Sequence, residues 1–374
     1  MIKKLKKWMC MLLVISVALG MNSTSIASEK AGSRQVNSII QIKAVDLLKK
    51  GYDEFYEFNN SSAELCCYCE KDGIIEIYFL LEVEATLKAK SVDELAYYQG
   101  IKEFFDSKEE TLILARNKSI NYVEYKALVS KKMKVIYNDL EQYINKSQVI
   151  PFYVKAIYKE NDVENASIFF DNGFEYVDAE QLYPNGEAEL KKNGYRYMEY
   201  ENKEILESLR RPETKARAAT QNYSVLNAVR YSNSYSSNPT TCNIHGSTCG
   251  QLVDTSKYNS NYTNYASTHS DCANFVSQIA KAGGIPTDTT WKPGNVQWTS
   301  VSKLCDYMVT NNYWEEISYS ELAVGDFVVF SPQSHIAFIS ANDGQQFRYT
   351  AHTNDRLNYP LTNKSTYKYY RVVY

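Results

Sequence analysis

"SDCANFVSQIAKAGGIP", residues 270–286, sets the reading of everything around it. Ser270 or Asp271 can cap a helix N-terminus with a side-chain oxygen. Phe275, Val276 and Ile279 follow Cys272 at spacings of three, four and seven, so all four share one helical face. Gly283-Gly284, with Pro286 beyond, ends the helix, because glycine takes the left-handed C-terminal conformation and proline cannot continue the ladder. The spacing predicts an amphipathic helix of about three turns with Cys272 in the first. Backbone N–H groups in that turn lack intrahelical acceptors. They favour a thiolate, lower its pKa and can hold an oxyanion. Cys272 therefore reads as a nucleophile. The rival reading is a disulfide to Cys305, on a second helix expected over 299–310.

A nucleophilic thiol needs a base. "VGDFVVFSPQSHIAFIS", residues 324–340, offers His335. Gly325-Asp326 reads as a turn, 327–330 as a strand, and His335 as the opening residue of the next strand, 335–340. "FRYTAHTNDR", residues 347–356, reads as a third strand with His352 and Asn354 on one face. Antiparallel pairing of neighbouring strands would bring His352 or Asn354 to His335, where a polar group fixes the tautomer and orientation of the base.

These segments carry a family resemblance. "DCANFVSQIAKAGGIP", Trp291, Trp298, "GDFVVF", "SHIAFIS" and "AHTNDR" together resemble the cysteine-amidase branch of the papain-like enzymes. The chain is similar over about 222–374 to the NlpC/P60 and CHAP cell-wall peptidases, and most closely to the putative amidase domain family of Gram-positive bacteria. The resemblance implies an α+β domain, papain-like or NlpC/P60-like, with the nucleophile helix packed on an antiparallel sheet or half-barrel. It implies Cys272 as nucleophile and His335 as base. It implies His352 as the third member, with Asn354 and Asp355 as alternatives, and it calls for no cofactor or metal. The long segment at 238–270 departs from the pattern and would reshape a substrate groove.

Beyond this region the chain sets wider bounds. Its 374 residues favour two domains, and 44% hydrophobic side chains suffice for packed cores. The 32 tyrosines suit half-buried strands and grooves for polar polymers. Lys3, Lys4, Lys6 and Lys7, the apolar run Trp8–Met21 and Ser25-Ile26-Ala27 read as a secretory signal over 1–27. The run is short of the roughly 20 residues of a membrane span, so a stable anchor is expected only if the signal stays uncleaved. Without those four lysines, 37 basic residues face 44 acidic ones, a net charge of about −7. That balance disfavours nucleic acid, which demands concentrated positive charge.

Export permits disulfides. Seven cysteines follow the signal, and an odd number leaves one unpaired within a monomer. Cys242 and Cys249 are expected to close a small disulfide loop. Cys66, Cys67 and Cys69 read as small buried residues, since a bridge between adjacent cysteines is strained. Cys242, His245, Cys249 and His269 do not match a zinc motif in their spacing.

Residues 28–208 read as a separate α+β domain. A helical period covers 36–58, a hairpin turns at Lys71-Asp72-Gly73, and Ser91 with Glu94 fits a capping box for a helix through about Phe105. Strands are expected at 152–159, 166–170 and 194–200. Residues 28–209 hold no histidine and no catalytic signature. A basic, Pro-broken linker at 209–221 offers a protease target before the catalytic segment at 222–374. The expected function is a secreted or wall-associated cysteine amide hydrolase acting on peptidoglycan. The alternative is an inactive surface-binding or structural module that keeps the amidase-like fold.

Overall fold

The computed structural model describes residues 36–107, 121–210, 223–244, 252–268, 271–330 and 335–373. The expected signal at 1–27 and nearly all of the expected linker fall outside these residues.

The N-terminal half opens with α1 (Ser38–Tyr52), capped by Asn37, whose side chain accepts from the Ile39 N–H. It buries Ile40, Ala44, Leu48 and Tyr52, one face at four-residue spacing. The helical period expected to 58 stops at Tyr52. β1 (Tyr56–Lys71) and β2 (Ile74–Leu87) form the expected hairpin. Its two loop residues, Asp72 and Gly73, both have positive φ, 54° and 74°, as a loop matched to strand twist requires. β3 (Ser147–Lys159), β4 (Ser167–Asp171) and β5 (Tyr176–Val177) complete an antiparallel sheet in the order β1-β2-β3-β4-β5. α2 (Ala96–Asp106), α3 (Tyr122–Glu141) and α4 (Glu187–Arg210) complete this half.

Two local readings change here. Ser91 and Glu94 bracket a short 3-10 turn, Val92–Glu94, and α2 starts only at Ala96. The segment 194–200, expected as a strand, lies inside α4. There Leu190, Asn193, Gly194, Tyr197 and Met198 are buried at helical spacing. The close approach of α2 and α4 selects the helix. A Cβ on Gly194 would lie 1.8 Å from the Tyr97 carbonyl oxygen, and one on Gly100 would lie 1.8 Å from that of Lys191.

The C-terminal half contains α5 (Val225–Ser234), α6 (Asp271–Gly283), α7 (Val296–Thr299) and α8 (Val301–Thr310). Its strands are β6 (Trp314–Ile317), β7 (Phe327–Phe330), β8 (His335–Asn342), β9 (Phe347–Ala351), β10 (Arg356–Pro360) and β11 (Lys368–Val372). They pair antiparallel in the order β10-β9-β8-β7-β11-β6. The molecule is thus α+β with two antiparallel sheets. The expected strand 347–356 is interrupted. β9 ends at Ala351, and Thr353 and Asn354 take left-handed φ of 62° and 77° in the turn to β10.

The second sheet is covered on both faces. Phe327, Ile336 and Phe338 pack with Phe275, Val276 and Ile279 of α6 and with Trp298 and Leu304. On the other face, Val328, Phe330, Ala337, Ile339 and Tyr349 pack with Leu80 and Tyr153 of the first sheet. Arg356 makes a buried ion pair with Asp171, and its guanidinium lies 3.8 Å from the Tyr153 ring centroid. The Tyr359 hydroxyl donates to the Asp171 carbonyl at 2.8 Å, and Tyr56 donates to Asp343 at 2.9 Å.

The cysteines depart from expectation. Cys242 is not disulfide-bonded, so the expected Cys242–Cys249 loop is absent. Of the three cysteines expected as small buried residues, Cys67 is buried and disulfide-bonded, to none of the other described cysteines, Cys66 is half-buried and Cys69 is exposed. Cys66, at an irregularity of the β1–β2 register between Leu65 and Cys67, packs against the cluster that includes Cys242.

Candidate active site

α6 begins at Asp271, runs 13 residues and ends at Gly283, with Gly284 at φ 119°. Cys272 sits in its first turn as the spacing requires. The thiol is 6% exposed and not disulfide-bonded, which removes the Cys305 rival reading. Backbone hydrogen bonds from Ile336 and Ala273 lower the pKa of the thiol. Burial outweighs them and pushes the thiol up to about 11. The lowered pKa expected from the helix end is therefore not realised in this enclosed state. The amide cradle is present, but the low-polarity surroundings favour the neutral thiol.

The polar positions of "DCANFVSQ" each have a partner. Asn274 donates to the Asp271 carboxylate at 2.9 Å and to the Thr263 carbonyl at 3.0 Å, and accepts from Trp298 Nε1 at 2.8 Å. Ser277 accepts from Trp291 Nε1 at 3.2 Å and donates to the Trp298 carbonyl at 2.9 Å. Gln278 accepts from the Tyr231 hydroxyl at 2.6 Å. Trp291 and Trp298 are fully buried packing residues whose indole N–H groups tie the following loop to α6.

His335 opens β8, beside the Ile336 amide that reaches Cys272. It pairs across the sheet with Phe330, and the two rings stack at 5.5 Å. Side chains alternate along a strand. The His335 ring thus lies on the face of Ala337 and Ile339, while Cys272 packs with Ile336 and Phe338 on the other. Burial, and then the Arg356 charge, hold the His335 pKa down to about 4.

His352 is 1% exposed. Its Nδ1 lies 2.7 Å from Asp271 Oδ2 and its Nε2 lies 2.6 Å from the Tyr235 carbonyl. Tyr258 and Phe275 stack on its two faces, each at 3.6 Å. Antiparallel pairing of β8 and β9 is as expected. Yet the two ring nitrogens of His352 go to the residue before Cys272 and to a backbone carbonyl, not to His335. Asn354 sits in the left-handed turn, and its buried Oδ1 has no hydrogen-bond partner among the described residues. Asp355 accepts from the Tyr258 hydroxyl at 2.7 Å and the Asp254 N–H at 2.8 Å, and burial raises its pKa. Asp326, expected as a turn residue, is buried and pairs with Arg371 at 3.2 Å.

Several residues of this network escaped the sequence reading. Asp271 was visible only as a cap. Thr353, whose hydroxyl accepts from the Asp271 N–H at 2.9 Å, carries no sequence signal. Tyr235 contributes a backbone carbonyl, which no side-chain pattern reveals. Tyr258 is one tyrosine among many. Among the described residues, no three His, Cys, Asp or Glu side chains converge on a metal-sized site. His245, His269 and Cys249 lie outside the described residues.

No curated protein and no solved structure matches the chain. Residues 222–374, which contain Cys272, His335 and the 352–355 turn, match the family model described as "Putative amidase domain", and this match supports an amide hydrolase as the activity class of that segment.

Proposed function

We infer that residues 222–374 hydrolyse amide bonds through Cys272, and that the substrate is bacterial cell-wall peptidoglycan. The observation that carries the reading is the position of Cys272 in the first turn of α6, where backbone hydrogen bonds from Ile336 of β8 and from Ala273 work to lower the pKa of its thiol. Such donors hold a developing negative charge without reorganising. In the proposed cycle the start of β8 re-seats so that the His335 ring leaves the Phe330 face, and His335 takes the thiol proton as sulfur attacks the amide carbonyl. The C–N bond breaks as His335 returns that proton to the departing amine. Water then attacks the thioester and gives a proton to His335, and the Cys272 thiolate leaves and is reprotonated. His352 and its turn hold the nucleophile end of α6, while Asn354 and Asp355 belong to the same turn. The signal-like segment at 1–27 and the disulfide at Cys67 support export, because disulfides persist in oxidising compartments.

Replacement of Cys272 by Ser tests the reading. The variant should keep the wild-type melting temperature and lose amine release from purified peptidoglycan by at least about 10³-fold, with the bond identified by mass spectrometry of the wild-type products. Amine release at the wild-type rate would sink the nucleophile assignment. The enclosed, neutral thiol and the His335 ring on the opposite sheet face favour a second reading: a binding module that retains the amidase fold without turnover. A wild-type chain that binds peptidoglycan but releases no amine would establish that alternative.

A further inference from the structure

Asp271 makes more bonds than a helix cap requires. Its carboxylate accepts from the Tyr265 N–H at 2.9 Å and from Asn274 at 2.9 Å, and meets His352 at 2.7 Å. Its own N–H donates to the Thr353 hydroxyl at 2.9 Å. Asp271 and His352 are both 1% exposed. The partners of His352, a carboxylate and a carbonyl, are both acceptors. The ring is held between the Tyr258 and Phe275 faces, each at 3.6 Å. Thr353, a β-branched residue, is held at φ 62° to deliver its hydroxyl. Backbone of this kind persists only where its surroundings over-determine it.

We propose that Asp271, His352 and Thr353 are positioning residues for the nucleophile. They fasten the first turn of α6 to the 352–355 turn and so hold the Cys272 sulfur within its amide cradle. The inference rests on the cysteine hydrolase reading above. It assigns His352 a role different from orienting His335: both ring nitrogens are engaged on the nucleophile side of the site. Asn274 extends the clamp to Trp298, and Tyr258 extends it through Asp355 to the 252–258 segment. The first turn of α6 is thereby tied to the 263–265 segment, to Trp298, to the 352–355 turn and, through that turn, to the 252–258 segment.

The test uses the full chain and purified peptidoglycan, well below each variant's melting temperature, with rates scaled to folded protein. Asp271→Asn and His352→Gln should each lower kcat by about 10²-fold with KM within threefold, the scale of loss caused by a misplacement of about 1 Å. Their double variant should be no slower than the worse single one, because the pair acts as a unit. Thr353→Val keeps shape and backbone strain but removes the hydroxyl acceptor, whereas Thr353→Ser keeps it. Val should slow turnover and Ser should not, and this comparison stands even if the buried pair cannot be replaced without unfolding. Wild-type kcat in Thr353→Val, or in Asp271→Asn, would make the clamp merely structural and overturn the proposal. An active Cys272→Ser chain instead overturns the hydrolase reading itself, and a wild-type chain without amine release overturns both.

Discussion

His335 is placed where its neutral form is favoured. Burial and the nearby Arg356 hold its pKa at about 4 in the folded chain, against 6.5 for an unperturbed histidine. Between those values the unfolded chain binds the additional proton, so stability rises with pH across that window. The contribution is fully present above about pH 6.5, is lost as pH falls toward 4, and changes no further below. Allowing for the ring's partial exposure, it is worth about 1–3 kcal/mol. His335→Gln should remove this slope. Urea unfolding at pH 4.5 and 7.5 checks it: the wild type should lose more stability on acidification than the variant, and equal losses would assign the slope to other groups. The same low pKa makes His335 a ready acceptor at neutral pH but a weak one. Proton transfer from a thiol near 11 then requires substrate to change the surroundings of both groups.

At the scale of elements, α4 shows how packing overrides a local pattern. "GYRYMEY", residues 194–200, is dense in tyrosine, a strand-favouring residue, and so reads as a strand. In the fold it is helix, and Gly194 lets α4 approach the Tyr97 carbonyl of α2. Gly194→Ala therefore sets two effects against each other. Alanine favours an isolated helix by about 1 kcal/mol, but here its methyl meets backbone that cannot rotate away. Overpacking of this kind costs about 1–3 kcal/mol and more where backbone must shift. A net loss is expected, read as a lower urea midpoint with unchanged slope; a raised midpoint would show that the helices separate easily. α6 behaves differently, because period, cap region and glycine stop all agree with its tertiary surroundings. The expected start, at Ser270 or Asp271, and the expected stop, at Gly283-Gly284, match the observed Asp271–Gly283 to within a residue.

At the scale of the molecule, the two halves share a core. Leu80 and Tyr153 of the first sheet pack on Phe330, Ala337 and Tyr349 of the second, and the buried Asp171–Arg356 pair joins them. Removing one partner of such a pair strands a charge at a cost of about 3–5 kcal/mol. The N-terminal half thus covers the face of the second sheet opposite α6, rather than lying over the Cys272 helix. A cut in the 209–221 linker would therefore leave this covering in place. A chain cleaved at a protease site introduced within 211–222 should elute from gel filtration as one particle, with its two pieces held together. Separation of the pieces under native conditions would show that the shared core does not hold them.

The sequence by itself determined the elements whose signals are local: the hairpin at Asp72-Gly73, the limits of α6, Cys272 in its first turn, and the strands that open at Phe327 and His335. Period, capping and turn chemistry act within a few residues and need no distant partner. Only the tertiary structure decided which face of β8 the His335 ring occupies, that His352 binds Asp271 and Tyr235, and that Cys67 rather than Cys242 is bridged. The reason is geometric. The bonds that settle these points span 81 residues between Asp271 and His352 and 117 between Tyr235 and His352, and one acceptor is a backbone carbonyl with no side-chain signature. Burial then reverses the pKa that the helix end alone would give Cys272, because desolvation depends on everything packed around the thiol.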